Sequence, residues 1–279
     1  MSSTQQIGTA QSESIDLAQR VDLDPRGSHE IIPLSSAASP ASGFGAGPDP
    51  GAVMRAVRVS VVIPTLNEAA NLPLVHQRLP SHLHELIIVD GHSIDRTVEV
   101  ARRLWPDAIV INQDGKGKGN ALACGFAAAT GDIIVMLDAD GSTDPAEVPR
   151  FVASLLCGAD FAKGTRFVTG GGSTDITLTR RLGNRVLSGT VNLLWHCDYS
   201  DLCYGYNAFW RRHLRVVNPD CSGFEVETLI NIRAARSRLN VVEVPSFEAN
   251  RQHGASSLHA TRDGMRVLRT ILAERLRPL

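Results

Sequence analysis

Three acidic segments of this 279-residue chain follow directly on short apolar, β-branched runs. RVSVVIP leads into Thr65-Leu66-Asn67-Glu68, ELIIVD ends in Asp90, and DIIVML runs into Asp138-Ala139-Asp140. Singly, each acid suits a turn or a helix cap. Gathered together they repel one another unless a cation or several donors compensate. A closely spaced pair such as Asp138 and Asp140 offers hard oxygen ligands for Mg2+ or Mn2+, an ion that keeps waters and bridges to substrate phosphates. Basic text accompanies the acids. In 114–120 (DGKGKGN) the glycines free the backbone for close approach, and Lys116 and Lys118 add charge, which makes a phosphate cradle. The spacing is neither that of a Walker loop nor of the dinucleotide fingerprint. Arg166 closes KGTR, where a guanidinium can bond phosphate bidentately. Asp201, Glu225 and Glu227 are isolated acids in apolar surroundings, and Arg251, His253 and Gly254 form a late polar loop.

The elements that must position these residues alternate regularly. Strands are expected at 57–64, 85–90, 108–112, 132–138 and 159–164. Helices are expected at 68–78, 94–104, 119–129 and 145–156, the last with Asp144 as N-cap. That alternation predicts an α/β domain with a mostly parallel sheet flanked by helices, whose ligands bind at the carboxyl ends of the strands. In the second half, 167–175 reads as a glycine-rich loop, 178–195 as a helix, 204–210 as a strand, 224–235 as a helix and 241–244 as a strand. An amphipathic, Arg-rich helix follows over 259–276. Residues 1–55 are rich in Ser, Ala, Gly and Pro and are expected to be a disordered extension. A single catalytic domain then occupies 56–279.

Composition narrows the class. The chain is 43% hydrophobic and 20% charged, and 28 Lys and Arg against 29 Asp and Glu leave a net charge of −1. That excludes a strongly basic nucleic-acid binder, so no nucleic-acid partner is expected. The five cysteines form no CxxC pattern, which suits free thiols. No apolar run reaches the roughly 18–20 residues of a membrane span, and the N-terminus lacks a signal peptide's basic start and apolar stretch. A cytoplasmic location is expected, with peripheral contact at the inner face of the membrane through the Arg-rich C-terminal helix.

PTLNE, VDGHSIDRT, GKGKGNA, DADGS and GTR occur in this order. Together they resemble the family 2 glycosyltransferases, and within them the polyprenol-phosphate (dolichol-phosphate) hexosyltransferase group. DLCYGYNAF, GFEVETLI and the loop from Arg251 agree with it. The resemblance implies a GT-A fold, a nucleotide-sugar donor (UDP- or GDP-hexose) and inversion at the anomeric carbon. By that pattern Pro64, Thr65, Glu68 and Asp90 line the base and ribose, and Lys118 lies near the nucleotide. Asp138 and Asp140 hold the divalent ion. Arg166, Arg181 and Arg251 meet the donor diphosphate or an acceptor phosphate. Ser142 stands where the group often has Gln, and the late Gly254 is not followed by Ser-Lys.

The acceptor is the open fork. Polyprenyl phosphate is already anionic and needs no general base. A hydroxyl acceptor, on a polysaccharide precursor or secondary metabolite, needs a carboxylate to take its proton, with Asp201, Glu225 and Glu227 as candidates. Asp140, Arg166 and Asp201 are the expected catalytic residues. A non-catalytic nucleotide-sugar-binding or scaffold protein is the alternative from another class.

Overall fold

The computed structural model describes residues 49–254 and 260–277. The extension expected over 1–55 lies outside these residues up to position 48. Its last part, Pro50–Arg55, is a helix (α1) started by Asp49, whose carboxylate accepts from the N–H groups of Gly51 and Ala52. Met54 from this turn is buried in the core. So short a helix has no periodic signal of its own; packing holds it.

The α/β alternation follows as expected. It runs β1 (Val59–Thr65), α2 (Leu72–Arg78), β2 (Glu85–Asp90), α3 (Thr97–Leu104), β3 (Ile109–Asn112), α4 (Gly117–Ala128) and β4 (Ile133–Met136). A 3-10 turn, Pro145–Glu147, opens α5 (Val148–Leu156), and the Asp144 side chain caps it as expected. Then come β5 (Phe161–Thr165), β6 (Gly172–Ser173), α6 (Leu178–Trp195), β7 (Asn207–Trp210), α7 (Leu214–Val217), α8 (Val226–Arg236), β8 (Val241–Pro245), β9 (Phe247–Glu248) and α9 (Ala260–Leu276). Helices α2 and α3 start later than the sequence suggests. Asn67, at φ 58°, and Asp95 are used instead in turns that tie the two loops together, with Ile94 N–H donating to Asn67 Oδ1 at 2.9 Å. The glycine-rich stretch expected as a loop contains β6, which pairs with β9 as a small second sheet.

The main sheet has seven strands in the order β3-β2-β1-β4-β7-β5-β8. All run parallel except β7, which is antiparallel to both β4 and β5. Side chains of β1 and β2 alternate between two cores, as a sheet covered on both faces requires. Val61, Ile63 and Ile88 pack with Phe151 and Leu155 on one side; Val62, Ile87 and Val89 pack with Leu122 and Phe126 on the other. The chain moves outward from β1 to β3 and returns to β4 on the opposite side of β1, so the crevice lies at the carboxyl ends of β1 and β4. Thr65, Asp90 and Asn112 stand side by side in register at that edge. The sequence places Glu68, Asp138 and Asp140 just beyond it.

Candidate functional site

The first part of the site is the shared end of β1, β2 and β3. Asp90 is buried; its Oδ2 accepts from Ser93 N–H at 2.9 Å, and its Oδ1 has only a long contact with Thr65 Oγ1 at 3.5 Å. Pro64, half-buried, and Thr65, buried, form the adjoining wall. Gln113, one residue past β3, is buried beside them, and its Oε1 has no hydrogen-bond partner. A buried, unpaired amide oxygen costs about 1–3 kcal/mol. It lies near Gly91, where a Cβ would come 3.1 Å from the Thr65 carbonyl and 3.6 Å from Gln113 Nε2. Sequence reasoning missed Gln113, because a polar residue after a strand carries no signal of its own.

The second part joins Glu68, Asp140 and Arg251. Glu68 is buried; burial raises its carboxyl's pKa against the opposing pull of Asn71 and Arg251. Asn71 Nδ2 donates to Glu68 Oε2 at 2.6 Å, and Arg251 Nη2 donates to Glu68 Oε1. Arg251 Nη1 stands 3.6 Å from Asp140 Oδ2, and Asp140 Oδ1 accepts from Ser142 N–H at 3.0 Å. Asn71 also donates to the His253 carbonyl at 3.1 Å. The late polar loop thus reaches across the sheet edge and sets its arginine between two of the acids.

Lys118 organises the third part. Its Nζ lies 2.5 Å from Asp138 Oδ1 and 2.6 Å from Glu227 Oε1. Burial disfavours the ammonium, but the two carboxylates outweigh it and raise its pKa well above the ordinary lysine value. Gly205 leaves room for this trio: a Cβ there would lie 3.0 Å from both Asp138 Oδ2 and Lys118 Nζ. Glu227 and Glu225 point to different neighbours, as their spacing requires. Glu225 accepts from Gly223 N–H and lies 3.7 Å from Arg266 on α9.

In the stretch expected as a phosphate cradle, Gly117 and Gly119 also make room for the chain's own backbone. Gly117 has φ +84°, and a Cβ on it would meet the Ser222 carbonyl at 2.1 Å; on Gly119 it would meet the Cys221 carbonyl at 2.3 Å. The backbone that approaches them is the chain's own 221–223 loop. Gly117→Ala is therefore expected to cost roughly 3 kcal/mol in folding free energy, through both clash and left-handed strain, read as a lower denaturant midpoint.

Arg166 and Asp201 meet in the interior. Arg166 Nε and Nη2 donate to Asp201 at 2.7 and 2.9 Å, and Nη1 donates to Glu248 Oε2 at 2.9 Å. The guanidinium also lies 4.9 Å from the Tyr204 ring. Asp201 is fully buried. Lys163, equally buried, donates to the carbonyls of Gly164 and Tyr204 at 2.7 and 3.0 Å. Arg181, exposed, stacks on Phe167 at 5.5 Å. With Arg166, Phe167 and Gly171–Ser173 it lines a cleft of about 410 Å³.

The structure therefore brings Glu68, Asp140 and Arg251 together, and Lys118 with Asp138. It sets Arg166 and Asp201 against each other: three of the guanidinium's five N–H donors go to Asp201 and Glu248, while Arg166 also lines the cleft, and Asp201 is fully buried. Among the described residues no three His, Cys, Asp or Glu side chains gather as a metal cluster. Asp138 and Asp140 are part-exposed carboxylates. Two such ligands fit a hard divalent ion that completes its shell with phosphate and water.

A sequence model described as "Glycosyl transferase family 2" matches residues 60–218. The chain is 32% identical to the dolichol-phosphate mannosyltransferase of Pyrococcus furiosus over 72% of its length, spanning 59% of that relative. It is 34% identical to the polyprenol monophosphomannose synthase of Mycolicibacterium smegmatis over 77% of its length, spanning 86% of that relative. Among solved structures it resembles glucosyl-3-phosphoglycerate synthase of Mycobacterium tuberculosis in complex with Mn2+, UDP and glucosyl-3-phosphoglycerate. The TM-score is 0.67 at 25% identity, covering 85% of this chain and 88% of that one.

Proposed function

The chain belongs to glycosyl transferase family 2 and has the GT-A fold, and from that premise we propose that it transfers a hexose from a nucleotide-sugar to polyprenyl phosphate. In this reading transfer inverts the anomeric carbon and uses Mg2+ or Mn2+. Asp138 and Asp140 hold the ion, which when bound neutralises charge on the departing diphosphate. Thr65, Asp90 and Pro64 seat the base and ribose, joined by Gln113, whose unpaired oxygen awaits a partner. Glu68 closes the ribose side. Lys118 and Arg251, already poised among the acids, offer donors to the diphosphate oxygens as charge develops there. Arg181, at the mouth of its cleft, meets the acceptor phosphate. Arg166 and Asp201 position the cleft wall.

One observation carries the acceptor half. Two of the three carboxylates that could serve a hydroxyl acceptor as base are held by a cation at hydrogen-bond distance, Asp201 by Arg166 and Glu227 by Lys118, and Arg266 stands 3.7 Å from the third, Glu225. A phosphate acceptor needs no such base. The M. smegmatis relative, a polyprenol monophosphomannose synthase, supports the same choice. The second reading, a hydroxyl acceptor, draws on the likeness to the solved glucosyl-3-phosphoglycerate synthase. Among the described residues no helix is long and apolar enough to cross a membrane. We place the protein in the cytoplasm, with peripheral contact at the inner face of the membrane.

Nucleoside diphosphate release from a panel of UDP-, GDP- and ADP-sugars, with and without polyprenyl phosphate, tests the reading. One donor is expected to turn over, stimulated by the lipid. Turnover without stimulation favours the hydroxyl acceptor, and no turnover with any donor favours the non-catalytic alternative.

A further inference from the structure

The turn between α7 and α8 is held from two sides. On its inner side it lies against the N-terminal end of α4. Gly119 N–H donates to the Ser222 carbonyl at 3.1 Å, and the bare backbone of Gly117 and Gly119 leaves room for the carbonyls of Ser222 and Cys221. Lys118 stands between those two glycines. On its outer side the turn is tied to the C-terminal helix. Arg233 and Arg277 reach Asp220 at 2.7 and 3.1 Å, and Arg233 is paired in turn with Glu274 of α9 at 2.9 Å. At the other end of the turn Arg266 of α9 faces Glu225, with its Nε 3.7 Å from Oε2. Gly223 admits this contact, since a Cβ there would collide with both Arg266 Nη1 and Glu225 Oε2.

The pair is unequal. The Arg266 side chain is 40% exposed and that of Glu225 only 8%. Glu225 Oε1 accepts from Gly223 N–H at 3.1 Å, while its Oε2 is buried without a hydrogen-bond partner. Removing the cation leaves a buried carboxylate oxygen with neither charge nor donor opposite it, and the turn must then shift to bring it to water. Two residues on, Glu227 in the first turn of α8 takes Lys118 Nζ at 2.6 Å. Asp138, the other partner of Lys118, is the proposed ligand of the divalent ion, which leaves Glu227 to hold the lysine for the diphosphate. The backbone on either side of Lys118 and the carboxylate that aims it thus both depend on residues 221–227.

We propose that Arg266 is a positioning residue of the donor site: from α9 it fixes Glu225 and the 221–225 turn, and through that turn it sets Lys118 for the diphosphate. The inference rests on the reading in which Lys118 meets the diphosphate. It gives the C-terminal helix a part in donor binding that acts through the turn.

Calorimetric titration of the full chain with UDP, GDP and ADP, each with Mn2+, tests it, beside melting curves and initial rates. Wild type is expected to bind one of the three nucleotides. Arg266→Gln is expected to weaken that binding roughly tenfold and to lower kcat/KM in proportion, because a small displacement of an aligned group is enough. It should melt within about 2 °C of wild type, as loss of a half-exposed ionic contact allows. Arg266→Lys should keep most of the affinity. Adding Glu225→Gln to Arg266→Gln should return binding to within about threefold of wild type, since the amide keeps an oxygen for Gly223 N–H and brings no buried charge. Arg269→Gln, which removes an exposed arginine from the same helix, should bind as wild type does. Wild-type affinity in Arg266→Gln overturns the proposal. So does an equal loss in Arg269→Gln, which would assign the effect to net charge, or a loss that Glu225→Gln does not recover. A melting temperature lowered by more than about 5 °C would assign Arg266 to the fold and overturn it as well. A wild type that binds none of the three nucleotides overturns the donor-site reading itself, and the inference with it.

Discussion

Asp140→Ala is expected to lower transfer by roughly 10²–10³-fold while the protein melts within about 2 °C of the wild type. The side chain is part-exposed, and its one ionic contact, with Arg251, is 3.6 Å long. An interaction of that kind contributes about 0–1 kcal/mol, so the fold does not depend on it. Its proposed work is at the diphosphate, where charge appears only as the glycosidic bond breaks. Initial rates over a range of Mg2+ and Mn2+ concentrations, beside a melting curve, check both halves. Wild-type turnover by the variant with divalent ions present would remove the metal from Asp140.

Asp201→Asn is expected to do the reverse, striking the fold first. It leaves Arg166 buried with one carboxylate where it had two. Breaking a buried pair costs about 3–5 kcal/mol, which for a domain of this size corresponds to a fall in melting temperature of roughly 10 °C. The joint replacement Arg166→Met, Asp201→Leu and Glu248→Gln should recover part of that loss, because Arg166 and both carboxylates it holds are then replaced by uncharged groups. The pH dependence separates this from a packing defect. Burial works to raise the Asp201 carboxyl's pKa, but the hydrogen bonds and charge of Arg166, with the charge of Lys163, hold it below its ordinary value of 3.8. A depressed carboxylate stabilises the fold above its unfolded pKa and loses that contribution as pH falls through the folded one. The stability gap between wild type and Asp201→Asn should be full at neutral pH and begin to narrow only below about pH 4, shrinking further as pH falls through the lowered folded pKa. Denaturant midpoints at several pH values read it. A gap independent of pH would assign the loss to shape alone.

Much of the fold was legible because strand and helix periods are local. RVSVVIP, ELIIVD and DIIVML announce β1, β2 and β4, and the acids behind them reach one edge because parallel strands share a carboxyl end. Less local features were hidden. The reversal of β7 depends on which neighbours it joins, and β6 is two residues long. The pairing of Arg166 with Asp201 spans 35 residues, so two polar residues in apolar text looked like two free groups when they are each other's counter-ions. The same holds for the glycines at 117 and 119: their need for a bare backbone was readable, and the loop that demands it, a hundred residues later, was not. The partnership of Arg251 with Glu68 was not legible, because only the return of the late loop across the sheet brings it about.

In the proposed reaction the acceptor is a phosphate, and no carboxylate of this site acts as its base. Polyprenyl phosphate and the corresponding polyprenol, of equal chain length, supplied to the enzyme with its preferred nucleotide-sugar and followed by mass spectrometry of the products, distinguish the two acceptors. A polyprenyl-phospho-hexose from the first, and no glycoside from the second, is the expected result. Glycosylation of polyprenol at a comparable rate would contradict the claim and require a base among the carboxylates that the structure holds in ion pairs.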